Sequence, residues 1–459
     1  MFDLLFHSNP TAFRGLPLGP LMLENYSPQL HIYVNFSRLN TAQMSDNDMF
    51  SSASIIVRLS PIDQDFAPTN IRLRTRFPMS ESTNEEIVLF RDMVLRFLEQ
   101  EVAPHYEEWE KNHQLPRQFW NTMGEAGMLC VDLEESYGAA GASFEVNQMI
   151  AWEMGRLGYG GLGSNYNIHS NIVAPYINNI GSQEQKDYWL PRMVTGEVVS
   201  CIAMTEPGAG SDLAGMRTTA IKDGDEYVIN GSKVFITNGI LADLAIVCAK
   251  TDPQAGAKGI SLFLVDTSLP GFSKGKSIEK IGQHASDTAE LFFDNLRVPA
   301  NALLGQEGKG FIYLMQELPR ERLGCATQAV SQAQGALDLT TAYVQERKAF
   351  GQTISQFQNT RFKLAEVKTE IALSKALLEQ NMEKFKYDAM TVDDAAILKL
   401  ATTEMQLRAV NECLQLFGGY GYTVEYPISR FYVDARIQTI YAGTSEIMKE
   451  VISRGIVGR

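Results

Sequence analysis

Near residue 200 the hydrophobic pattern of this 459-residue chain changes period, and after Pro299 it changes back. That switch limits the fold more than any single motif. From Thr83 onward the spacing is helical: Phe90, Val94 and Phe97 share a face at i, i+4, i+7, and Thr83 with Glu86 has capping-box spacing. Further helices are expected at about 116–128, 144–156 and 183–194, with glycine-rich breaks at 136–142 and 159–163. The runs then become short and β-rich: Tyr227-Val228-Ile229, Val234-Phe235-Ile236, Leu244 to Cys248, Ile260 to Val265, and Glu290 to Phe293. Asp223-Gly224, Asn230-Gly231 and Asn238-Gly239 supply turn signals. Long helical patterns return near 309–343, 354–386, 393–417 and 442–454. The expected fold is therefore α+β and multidomain. An N-terminal helical domain spans 79–198, a middle antiparallel β-barrel or sandwich 199–305, and a C-terminal four-helix bundle 306–459.

Several functions are disfavoured at once. A net charge of −14 opposes broad attraction to nucleic acid or anionic membranes. No apolar run approaches the roughly 20 residues that cross a bilayer. Five dispersed cysteines, with no CxxC, fit neither a disulfide framework nor a metal cluster, and the six histidines form no HExxH, so no metal site is expected. Strands do not alternate with helices and no GxGxxG opens one, which argues against a Rossmann fold.

Residues 1–78 differ from the rest: they contain no Lys and are broken up by prolines such as Pro10, Pro17, Pro61 and Pro78. Three readings stand side by side: an atypical, disordered or loosely packed extension, a small appendage, or sequence upstream of a true start at Met79. No convincing targeting segment is visible, so a cytoplasmic location is expected in a bacterium and an organellar matrix otherwise.

The chemistry is expected in a few dense motifs. In Met204-Thr205-Glu206-Pro207-Gly208-Ala209-Gly210-Ser211-Asp212, the glycines let backbone N–H groups approach an anion or ring, and Thr205 and Ser211 can exchange hydrogen bonds with polar ring edges. An ordinary structural loop has the same composition. Phe235, between Val234 and Ile236, reads by itself as strand core. Arg347 offers a fixed fork of donors suited to pyrophosphate, or a plain surface ion pair. Glu321 alone reads as a solvated helix carboxylate beside an arginine.

Taken in order, the motifs resemble the acyl-CoA dehydrogenase family. They are Met204 to Asp212, Gly231-Ser232-Lys233-Val234-Phe235-Ile236-Thr237-Asn238-Gly239, Arg347-Lys348-Ala349-Phe350-Gly351, Gln415 through Gly421, and Tyr441-Ala442-Gly443-Thr444-Ser445-Glu446-Ile447. The resemblance implies FAD, contacted by Thr205, Ser211, Phe235, Thr237, Arg347, Phe350, Gln352, Gln415, Gly419, Thr444 and Glu446. It places substrate at Ser211, Tyr441 and Gly443. Arginine in the third motif implies FAD binding across subunits, hence a homodimer unit paired into a homotetramer.

One departure matters. Many family members carry a glutamate after the tyrosine of the last motif, whereas this chain has Ala442. Glu321, in Leu318-Pro319-Arg320-Glu321-Arg322-Leu323, matches the base position of subgroups resembling long-chain and isovaleryl-CoA dehydrogenases. Glu321 is thus the expected base, with Arg322 and the Ala442 backbone N–H in support. The implied reaction is α,β-dehydrogenation of an acyl-CoA, of medium or long chain, to a trans-2-enoyl-CoA, with electrons passed to electron-transferring flavoprotein. The alternatives are an acyl-CoA oxidase using oxygen and a non-catalytic acyl-CoA- or flavin-binding scaffold.

Overall fold

The computed structural model describes residues 85–458. The segment 1–78 and the Thr83 half of the expected capping box lie outside them. Helix α1, Glu85–Phe97, buries Val94 and Phe97 and leaves Phe90 half-buried, as its spacing requires. Helices α2 (Tyr106–Asn112), α3 (Arg117–Glu125), α4 (Phe144–Arg156), α5 (Gly160–Tyr166), α6 (Ala174–Ile180) and α7 (Gln183–Val194) follow. The last begins in a capping box in which Ser182 Oγ accepts from Gln185 N and the Gln185 side chain accepts from Ser182 N.

The expected glycine break at 159–163 is instead mostly the helix α5. Its glycines serve close packing. A Cβ on Gly160 would lie 2.5 Å from Asp434 Oδ2, one on Gly161 3.0 Å from Ser286 N, and one on Gly163 3.0 Å from Gln328 Nε2.

The middle region is a single sheet of eight strands: β1 (Ser200–Ala203), β2 (Thr219–Asp223), β3 (Glu226–Thr237), β4 (Leu244–Lys250), β5 (Ile260–Asp266), β6 (Phe272–Ser277), β7 (Thr288–Pro299) and β8 (Leu303–Leu304). The order is β6-β7-β3-β2-β4-β5-β8, with β1 beside β4. Most pairs are antiparallel as expected. The exceptions are β1 with β4 and the single β2–β4 pairing, which are parallel, so the sheet is mixed. Asn230-Gly231 is not a turn but a bulge inside the 12-residue β3, where the register shifts and a Cβ on Gly231 would run into Thr218.

Strand alternation builds two cores. Ala245, Val247 and Ala249 of β4 enter one apolar cluster of the sheet, while Leu244, Ile246 and Cys248 join the core shared with the helices. This welds β4 and β5 to the bundle, and both are buried over nearly their whole length.

The bundle comprises α8 (Gly310–Glu346), α9 (Gln358–Lys386), α10 (Val392–Phe417) and α12 (Ser445–Val457), with the shorter α11 (Pro427–Ala435). A short ribbon, β9 (Lys348–Ala349) with β10 (Gln352–Thr353), joins α8 to α9. At 37 residues α8 is about 55 Å long and reaches from the sheet to the far end of the bundle.

Candidate active site

The loop after β1 is held by a buried ion pair. Lys233 Nζ of β3 donates to Glu206 Oε1 at 2.9 Å and to Met204 O at 3.0 Å. Glu206 also accepts from Arg217 N at 2.6 Å and Thr218 N at 2.9 Å, and Val234 N donates to Thr205 O at 2.9 Å. Burial works against the Glu206 carboxylate, but Lys233 and the backbone donors hold it below its usual range. These bonds fix Thr205 against β3. They leave Gly208 and Gly210 facing open space: a Cβ on either meets no atom of the described residues within 4 Å, and neither has positive φ. Neither turn geometry nor internal packing demands glycine there, so the small residues keep room for something outside the chain.

Phe235 is not strand core. A second register shift, between Lys233 and Ile236, turns both Val234 and Ile236 inward and leaves Phe235 at φ 60° with 65% of its surface exposed. Its backbone neighbour Val234 is the residue whose N–H is bonded to Thr205 O, so Phe235 follows directly on the point where β3 holds the Thr205 loop. Ser211 is exposed on that loop, and Thr237 is half-buried at the end of β3.

Glu321 lies on α8 and is buried, 5% exposed, which overturns its reading as a solvated carboxylate. Tyr176 of α6 donates its phenol O–H to Glu321 Oε1 at 2.9 Å. Burial pushes the Glu321 carboxyl up to about 7. The Tyr176 hydrogen bond opposes that rise, Glu317 one turn away adds to it, and Arg322 opposes it. A carboxylate poised near neutrality inside a protein is suited to taking a proton from carbon.

Helix α8 also underlies the turn 441–443. Tyr441 O–H donates to Gln328 Oε1 at 3.3 Å. Ala442 and Gly443 both have positive φ, 52° and 95°, and no acceptor among the described residues takes the Ala442 N–H. Lys399 of α10, fully buried, donates to Gly443 O at 2.7 Å. Arg322 is 4% exposed. Its Nη2 lies 3.7 Å from where a Cβ on Gly443 would stand, and its Nε and Nη1 have no partner among the described residues. Thr444 has a structural task of its own, capping α12 by accepting from Ile447 N at 3.3 Å, with Glu446 exposed in the first turn.

A second group gathers at the far end of the bundle. Arg347, Phe350, Gln415 and Gly419 line a cleft of about 670 Å³ with Phe417 and Tyr420. Gln352 is exposed on the adjoining ribbon without lining the cleft. The Arg347 guanidinium stands 5.3 Å over the Tyr420 ring, and no carboxylate among the described residues pairs with it, against the surface ion-pair reading. Phe350 is 96% exposed. A Cβ on Gly419 would meet no atom of the described residues within 4 Å, whereas one on Gly421 would lie 2.7 Å from Leu414 O. Gly421 is thus needed for packing and Gly419 is not. No hydrogen bond or ring contact among the described residues joins this cleft to the Thr205–Phe235 face.

Tyr176, Asn179, Lys399 and the pairing of Glu206 with Lys233 carry the site's geometry without having been singled out by sequence. Glu206 and Lys233 stand inside the motifs, and that was their only signal. Tyr176 lies 145 residues from Glu321, beyond the reach of spacing arguments.

Models of three acyl-CoA dehydrogenase domains match in succession: the N-terminal domain at residues 84–197, the middle domain at 201–296 and the C-terminal domain at 308–457. The long-chain specific acyl-CoA dehydrogenase of Sus scrofa mitochondria is 48% identical over 372 residues, 80% of this chain and 86% of that one. The short-chain specific acyl-CoA dehydrogenase of Clostridium acetobutylicum is 38% identical over 82% of this chain and 99% of that protein. The crystal structure of acyl-CoA dehydrogenase from Geobacillus kaustophilus superimposes with a TM-score of 0.81 at 48% identity, covering 83% of this chain and all of that one. This chain belongs to the acyl-CoA dehydrogenase family of enzymes.

Proposed function

We propose that this protein dehydrogenates medium- or long-chain acyl-CoA thioesters to trans-2-enoyl-CoA, with Glu321 as the base and electron-transferring flavoprotein as the electron acceptor. The observation that carries this reading is the buried Glu321 carboxyl, raised to about 7, on a helix that underlies the Ala442–Gly443 turn. Alanine at 442 leaves that turn without a proton-accepting side chain, so the carboxylate on α8 takes the role.

The chain's surfaces fit FAD. Gly208 and Gly210 keep the Thr205 loop open, Phe235 offers an exposed ring, and Arg347, Gln415 and Gly419 offer a cation, an amide and an unobstructed backbone. Bound FAD would accept the hydride from the substrate β-carbon. Glu321 removes the α-proton. The Ala442 N–H, which has no partner among the described residues, donates to the thioester oxygen as charge develops there. Lys399 fixes that donor through the Gly443 carbonyl. Thr205, Ser211 and Thr237 supply polar contacts, and Tyr441 and Gly443 border the acyl thioester.

The separation of Arg347, Phe350, Gln352, Gln415 and Gly419 from the Phe235 face supports a site completed by a second copy, with the homodimer as the functional unit and a homotetramer as the assembly. The long-chain resemblance over Leu318 to Leu323 supports longer substrates. Stopped-flow reduction with butyryl-, octanoyl-, dodecanoyl- and palmitoyl-CoA, followed by reoxidation in air or with electron-transferring flavoprotein, tests the reading. Fastest reduction by octanoyl-CoA or longer and slow reoxidation in air are expected. Rapid reoxidation with stoichiometric peroxide would make the protein an oxidase, and absence of reduction by every thioester would leave a scaffold.

A further inference from the structure

Two short-range contacts join α6 to α8 as parallel rungs. Tyr176 O–H donates to Glu321 Oε1 at 2.9 Å, and Asn179 Nδ2 donates to Glu317 Oε1 at 2.9 Å. Tyr176 and Asn179 are three apart on one helix, and Glu317 and Glu321 are four apart on the other, so each pair occupies a single helix face. Tyr176 is fully buried, and Glu321 Oε2 accepts no hydrogen bond among the described residues.

We propose that Tyr176 is the positioning residue for the Glu321 base: its phenol occupies Oε1, sets the carboxylate's rotation, and leaves Oε2 as the atom that takes the substrate proton. This inference rests on the reading of Glu321 as the base. The step balances simply. The α C–H electron pair becomes the second bond between the α- and β-carbons, the proton ends on Oε2, and the β-hydride with its electron pair would pass to bound FAD.

The arrangement does more than aim the carboxylate. A buried carboxyl with only apolar neighbours would stay protonated at neutral pH and could not act as a base. The phenol hydrogen bond favours the charged form, and Arg322 does so too, while Glu317 opposes it from one turn away. Cys325 of the same helix and Cys248 of β4 face the group as neutral thiols, their own ionisation suppressed by burial. The Asn179 rung holds the Glu317 carboxylate at its own end of the ladder, keeping this opposing charge at a fixed distance. The position of the base is thus set from one face of α6, remote in sequence from the motif that carries Glu321, while its proton affinity balances burial and Glu317 against the Tyr176 phenol and Arg322.

The test compares the holoenzyme with Tyr176→Phe, Glu317→Gln and Glu321→Gln. The pH profile of anaerobic flavin reduction by dodecanoyl-CoA is measured for each. Phenylalanine keeps the ring's packing and removes only the donor. Tyr176→Phe is expected to retain FAD and to shift the profile's midpoint up by about one unit, slowing reduction at pH 7 roughly fivefold to tenfold. Half-saturation by substrate should change less than about twofold, since the phenol touches the base and not the substrate. Glu317→Gln should move the midpoint the opposite way.

A second readout needs no turnover. The carboxyl stretch that disappears from the infrared difference spectrum in Glu321→Gln should titrate at higher pH in Tyr176→Phe. An unchanged midpoint and unchanged carboxyl titration in Tyr176→Phe would overturn the proposal, as would shifts in the same direction for both variants. Wild-type flavin reduction in Glu321→Gln would instead overturn the base assignment itself, and the infrared titration keeps the two failures apart.

Discussion

Lys399 Nζ holds the Gly443 carbonyl at 2.7 Å, tying the interior of α10 to the left-handed turn at Ala442 and Gly443. Burial lowers the lysine's proton affinity, to about 8. Lys399→Met should therefore change the melting temperature by only a few degrees, because removing the donor also removes the cost of burying a charge. Flavin reduction should slow by roughly tenfold to a hundredfold as the Ala442 N–H loses its fixed direction. Stopped-flow absorbance beside thermal melting checks both halves.

Glu321 should cost the protein stability in the pH range where it is useful. Its ordinary value is 4.5 and its folded value about 7, so between them the native state holds more protons than the unfolded chain. Stability from this group is therefore highest at low pH and falls as pH rises from 4.5 through 7. Above that, the ionised buried carboxyl costs on the order of 3 kcal/mol. Glu321→Gln should melt several degrees higher than wild type at pH 8, with the gap closing toward pH 5 in parallel melts.

Lys233→Met should be severe. It leaves Glu206 buried and charged without its cation, a change that costs about 3–5 kcal/mol in comparable settings. The Thr205 loop loses its anchor, so flavin content after purification should fall with the melting temperature. Adding Glu206→Gln should recover part of the stability. Flavin absorbance per chain and melts of both variants are the measurement.

Gly419→Ala and Gly421→Ala separate ligand space from packing. The first adds a methyl where none of the described residues stands, so the flavin-free protein should melt as wild type does while FAD affinity drops several-fold or more. The second forces a methyl against Leu414 O and should destabilise the flavin-free protein by about 1–3 kcal/mol. Calorimetric melts with and without FAD distinguish them.

Local signals carried the sequence reading a long way. The helices expected at 144–156 and 183–194 stand at those residues, although the first is buried on every side from Val146 to Arg156, and the turn at Asp223-Gly224 follows from a glycine that takes positive φ. The same local logic misreads Gly160, Gly161 and Gly163, whose glycines answer to Asp434, Ser286 and Gln328 brought near by the fold. It also misreads Asn230-Gly231, a bulge made by pairing with β7, and would leave Phe235 in the core although a bulge turns it out. Resemblance drew attention to Glu321, but its burial and its Tyr176 partner depend on α6 packing against α8. Such contacts have no spacing to read.

Anaerobic flavin bleaching by dodecanoyl-CoA in Glu321→Gln holoenzyme, followed in a single turnover, tests the role of Glu321 most directly. Retained FAD, retained substrate binding and a bleaching rate lower by about a thousandfold or more are expected. Bleaching at the wild-type rate would contradict that role.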